Sequence, residues 1–121
     1  MSKMYQFIQS ETLKAKKSFV ASFKKWQKDK THLEMGTELK EELEKMSELL
    51  KRMFLSFSSE ALTLGESHDL EGDVFFALTD FRNGEVSDKD VAIAYLVKMI
   101  RPKVEKQWAK LEKESRMAMS F

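Results

Sequence analysis

Two histidines, twenty carboxylates and no cysteine bound the chemistry open to this chain of 121 residues. Without a thiol there is no disulfide, no thiolate metal site and no cysteine nucleophile. His32 and His68 stand far apart, and neither has a glutamate three residues before it, so the carboxylate-bridged metal pair of helical bundles has no ligand set. Ser56, Ser58 and Ser59 form a hydroxyl-rich run. A serine needs an activating base, and the sequence places no histidine beside these three. No glycine-rich phosphate loop occurs. The expectation is a chain that is not an enzyme, holds no metal or cofactor and acts on no small molecule.

Two short stretches still carry a chemical outline. Thr79 to Asp90 has the length of a calcium-binding EF-hand loop, with Gly84 at its sixth position and Val86 at its eighth. Thr79 and Phe81 occupy positions that need oxygen ligands, which leaves Asn83, Ser87 and Asp90, too few donors for a hard cation. The stretch reads instead as a turn between helices. Ser67, His68, Asp69, Leu70, Glu71 and Gly72 resemble the phosphoacceptor signature of histidine phosphotransfer domains, in which the histidine is followed by any residue, leucine, lysine and glycine. That resemblance implies phosphorylation of His68 by a response-regulator partner. Leu70 and Gly72 match; Glu71 stands where the family carries a cation, and Asp69 and Asp73 add further negative charge.

A third pattern is electrostatic. Lys14, Lys17, Lys24, Lys25 and Lys28 fall on one side of a helix whose other side carries Phe19, Phe23 and Trp26. Such a face can lie on nucleic acid phosphates or an anionic membrane, and it can equally be a solvated surface. The net charge of +1 conceals the pattern. Residues 1–33 carry eight basic and two acidic groups, residues 60–90 two and nine, and residues 91–121 seven and three, so the ends are basic and the middle acidic.

The elements that must position these groups are helices. Gly (4) and Pro (1) are scarce and a third of the residues are charged. A first helix is expected over residues 3–30, with Ile8, Thr12, Ala15, Phe19, Phe23 and Trp26 inward. A break at Gly36 and a cap at Thr37 should open a long helix running to Leu64, with Leu39, Leu43, Met46, Leu50, Met53 and Phe57 in one seam and Gly65 ending it. The short junction makes these first two helices antiparallel neighbours. Ser67 caps a third, shorter helix ending near Phe81 or Arg82, and Asn83 with Gly84 stops it. Ser87 and Asp90 resemble a capping box for a last helix over residues 88–117. Pro102 lies within that run and should kink or break it.

The fold class expected is all-α: one domain over residues 1–121, an elongated antiparallel bundle of four main helices, the last kinked or broken near Pro102. Phe54, Leu55, Leu62, Phe75 and Phe76 exceed what one seam needs, so the partner is expected to be another protein or a second copy. Trp26, Phe54, Trp108 and Phe121 are the aromatic anchors for it. The function expected is that of an adaptor, inhibitor or assembly subunit; electrostatic binding through the basic first and last helices is the alternative, and phosphotransfer through His68 a more distant one. No signal peptide and no membrane span is read, so an intracellular, cytoplasmic location is the default.

Overall fold

The computed structural model describes residues 2–56 and 58–119, with side chains through residue 115. Four helices follow one another: α1 (Lys3–Gln27), α2 (His32–Phe54), α3 (Leu64–Asn83) and α4 (Asp88–Met119). The fold is an all-α antiparallel bundle, and no strand occurs among the described residues.

Each helix starts where a side chain can take up the free N–H groups of its first turn. Ser2 accepts from the Tyr5 amide and Thr31 from the Glu34 amide, each at 3.1 Å. Thr63 and Glu66 form a reciprocal capping box at the head of α3. Ser87 and Asp90 form the expected box at the head of α4, with Ser87 N–H donating to Asp90 Oδ2 and Asp90 N–H to Ser87 Oγ. Gly84 ends α3 at φ +73°, a left-handed position that any side chain would strain.

The long second helix expected through Leu64 is two elements. α2 begins five residues before Thr37 and ends at Phe54. Beyond it Ser56 Oγ accepts from Ser58 N–H, and Ser58 Oγ from Glu60 N–H. Serine hydroxyls offer the backbone partners that compete with a helix, and here they win. Leu64, though in phase with the seam, is exposed. Gly36 does not break the chain and Gly65 does not stop it, for both sit in the opening turns of helices. Thr63, not Ser67, is the α3 cap; Ser67 is buried. Nor does Pro102 break α4, which is one helix of 32 residues. Pro102 itself is exposed.

α4 is the hub and packs along each of the other three helices, while α2 packs along α3 and α4. The expected pairing of α1 with α2 is corrected: α1 lies along α4 and approaches α2 closely only near their joined ends. The reason is the breadth of α2. Its buried residues Leu39, Leu43, Met46, Leu49, Leu50 and Met53 sit on a helix that packs along both α3 and α4, and α1 takes the remaining flank of α4. Glu11 beside Lys103 and Phe19, Phe23 and Trp26 beside Tyr95 show α1 antiparallel to α4. α1 and α3 therefore run in the same direction on opposite flanks of α4.

Candidate interaction surfaces

Three charged or aromatic side chains pin α1, α2 and α4 together at the Trp26 end of the bundle. Trp26 Nε1–H donates to Glu38 Oε1 at 3.2 Å, and Glu38 also meets Lys98 at 2.8 Å and Lys30 at 3.2 Å. Both ammonium groups lie over the indole, 5.3 and 5.7 Å from its centre. The Lys98 hydrogen bond, helped by those from Trp26 and Lys30, outweighs burial and holds the Glu38 carboxyl at about 2. Half-buried Trp26 is thus already engaged within its own chain.

Deeper in the bundle Arg101 makes two hydrogen bonds to Glu42 and pairs with Glu105 at 2.8 Å. Trp108 is 3% exposed and is core, not a surface anchor. Its Nε1–H meets no hydrogen-bond acceptor among the described residues. Phe54 is partly exposed beside Leu55 and Leu64, at the end of the bundle where α2 stops and α3 starts. Phe121 lies outside the described residues, as do the side chains of Met117 and Met119.

The five lysines of α1 and the turn after it are all exposed. Lys14 pairs with Glu11 at 3.5 Å, whereas Lys17, Lys24, Lys25 and Lys28 meet no acidic partner among the described residues. His68 is exposed on α3, and His32 is exposed at the first residue of α2. In the Thr79–Asp90 segment the Asp90 carboxylate is spent on the α4 cap. Burial acts to raise its pKa, but the Ser87 hydrogen bonds prevail and hold it below the ordinary value. Its hydrogen bond and negative charge push the neighbouring Asp80 carboxyl up. Among the described residues no group of three histidine, aspartate or glutamate side chains converges to hold a metal ion, and no helix is long and apolar enough to cross a membrane.

The feature that sequence periodicity missed is a groove. Because α1 and α3 flank α4 without meeting along their length, a cleft of about 700 Å³ opens between them. Ile93, Leu96, Val97 and Ile100 of α4 form its floor, with Met46 and Leu50 of α2 beneath. Gln9, Leu13 and Lys16 line the α1 wall, and Asp69, Leu70 and Asp73 the α3 wall. Tyr5 Oη–H donates to Asp69 across the narrow end; that hydrogen bond is the main cause that raises the tyrosine pKa. Leu13 and Val20 are each 63% exposed, one heptad apart on α1 and off its buried stripe. That off-phase pair was the available signal. A second opening, of about 580 Å³, lies at the Trp26 end, lined by Leu33, Phe81, Val86 and Val91 among others.

The fold defines the class as a four-helix bundle with α4 at its centre. Comparison with protein-family models, with curated proteins and with solved structures finds no match for the chain.

Proposed function

We propose that this chain is a small non-enzymatic interaction protein, an adaptor, inhibitor or assembly subunit, that works by presenting helix faces. The observation that carries the reading is the α1–α4–α3 groove. Its floor is aliphatic, with Ile93 and Leu96 half-buried over the buried Val97 and Ile100, its walls carry charged residues, and Leu13 stands exposed at its rim. Apolar surface left in a concave, polar-rimmed strip is the usual mark of a helix-docking face.

The test is affinity capture from the source cells with the tagged full chain, washed at low and then high salt, with protein, nucleic acid and lipid each assayed. Untagged copies of the chain itself are counted among the captured proteins. The expected result is a protein that survives high salt, is lost with Leu96→Glu on the groove floor and is kept with Lys28→Glu outside it. Absence of any salt-resistant protein overturns the reading.

A second reading has its own observation. Lys17, Lys24, Lys25 and Lys28 lack acidic partners among the described residues, and α1 lies along α4, whose Lys106, Lys110 and Lys113 are also exposed. Basic groups at both ends of the α1–α4 pair would hold nucleic acid or an anionic membrane. Binding would then fall steeply with salt and would not respond to Leu96→Glu.

A further inference from the structure

We propose that the α1–α4–α3 groove is the face through which two copies of this chain pair, with a two-fold axis running along the groove. The proposal rests on the helix-face reading above and names its partner.

Charge carries the argument. On α1 the groove wall carries Lys16, with the exposed Lys17 and Lys24 farther round the same helix, and the one acidic residue of α1, Glu11, is buried and paired with Lys14 and Lys103. On α3 the groove wall is acidic, through Asp69 and Asp73 with Asp80 one turn beyond, against a single groove-lining lysine, Lys89, at the head of α4, while the one basic residue of α3, Arg82, reaches toward Glu44 on α2. A face with one basic and one acidic wall complements itself only under a rotation that exchanges the walls. A two-fold axis parallel to the helices does this; an axis across the groove would set lysine against lysine.

Register supplies a second argument. Ser2 N–H donates to Glu66 and Tyr5 Oη–H to Asp69, and each pair is 64 residues apart. With α1 and α3 rising in the same direction at about 1.5 Å per residue, Leu13 stands level with Phe76 and Ala77, and Lys16 with Asp80. Rotation about an axis along the groove preserves level. Leu13 of one copy therefore meets Phe76 of the other, and Lys16 meets Asp80, each contact made twice. Leu13 and Phe76, 63% and 68% exposed, gain in this arrangement the apolar cover that their own chain withholds. The face spans about 30 Å along α3 and about 20 Å across two helix spacings, roughly 600 Å² in projection before corrugation. That approaches the ~800 Å² per partner of a specific interface.

The experiment is sedimentation velocity on the full chain from about 1 to about 200 µM, at low and high salt, with helicity followed by circular dichroism. The expected result is a dimer that is tightest at low salt and persists at high salt on the apolar contacts of Leu13 and Phe76. Lys16→Glu with Lys17→Glu, and separately Asp73→Lys with Asp80→Lys, should each weaken pairing about tenfold or more while leaving helicity unchanged. An equal mixture of the two variants should restore the dimer, and so should one chain carrying all four changes. Monomeric wild-type chain throughout, a dimer indifferent to the reversals, or open-ended assembly overturns the proposal. If the chain is monomeric yet Leu96→Glu still loses a captured protein, the helix-face reading stands and only its partner falls.

Discussion

Replacing Glu38 by glutamine removes one charge from the point where α1, α2 and α4 meet, and keeps an amide oxygen that can still accept from Trp26 Nε1–H. The carboxyl is held at about 2 instead of 4.5 in the folded chain. At about 1.36 kcal/mol for each pH unit, that gap would amount to about 3.4 kcal/mol in a dry site. The Glu38 side chain is 34% exposed, so solvent screens the pairing and about 1 kcal/mol is the expected net contribution. Because the folded pKa is depressed, this stability is present in full above the unfolded value near 4.5 and is lost as pH falls toward 2. Thermal melts of both proteins from neutral pH downward test it. Glu38→Gln should melt about 3–5 °C lower at pH 7, and the gap should narrow steadily below about pH 4.5. A gap that stays constant with pH, or that is absent at pH 7, would refute the assignment of the effect to charge.

The remaining predictions concern the backbone, the core and the buried ion pair. Gly84→Ala should destabilise the chain by about 1 kcal/mol, since φ is +73° there. Gly72→Ala, in the α3 interior with no neighbour near the added carbon, should stabilise it by up to about 1 kcal/mol. Urea titration of the two reads both signs. Trp108→Phe removes a buried N–H that meets no acceptor among the described residues but leaves a small void, so stability should change by less than about 1.5 kcal/mol, against about 3–5 for Trp108→Ala. Arg101→Met leaves Glu42 buried without its cation and should cost about 3 kcal/mol or more, with partial recovery when Glu42→Leu is added.

Much of the architecture was legible because helix signals are local. The Gly84 stop, the Ser87 and Asp90 cap and the four-helix count follow from residue types within one turn. The errors arose where a local signal competed with another. A heptad phase continued through Leu64, and only the hydroxyls of Ser56 and Ser58, bonding their own backbone, reveal that the helix has ended. Gly36 and Gly65 read as punctuation, yet threonines at 31 and 63 start the helices ahead of them. The surface was less legible. An in-phase tryptophan reads the same whether it is engaged at an edge like Trp26 or sealed in the core like Trp108. Periodicity reports phase, whereas burial depends on which helix claims that phase.

The groove follows from unequal competition for α4. α2 carries seven buried residues, α1 only five, two of which (Met4 and Tyr5) lie in its first turn. In a square bundle α1 would close against both α2 and α4, but here α2 packs along α3 and α4 instead. α1 is left with one flank of one helix, held by the stacked Phe19 and Phe23 against Tyr95 and by Glu11 against Lys103. It meets α3 only at its start, where Ser2 N–H donates to Glu66 and Tyr5 Oη–H to Asp69. α1, packed along one helix only, keeps Leu13 and Val20 exposed, and its Lys17, Lys24 and Lys25 meet no acidic partner among the described residues. Charge reversal on α1 should accordingly alter association far more than stability, while Leu50→Ala in the shared core should do the opposite, costing about 2–5 kcal/mol of folding stability. Measuring melting and sedimentation on the same two variants separates the surface from the scaffold. Loss of folding on reversing the α1 lysines would show that the ridge belongs to the scaffold after all.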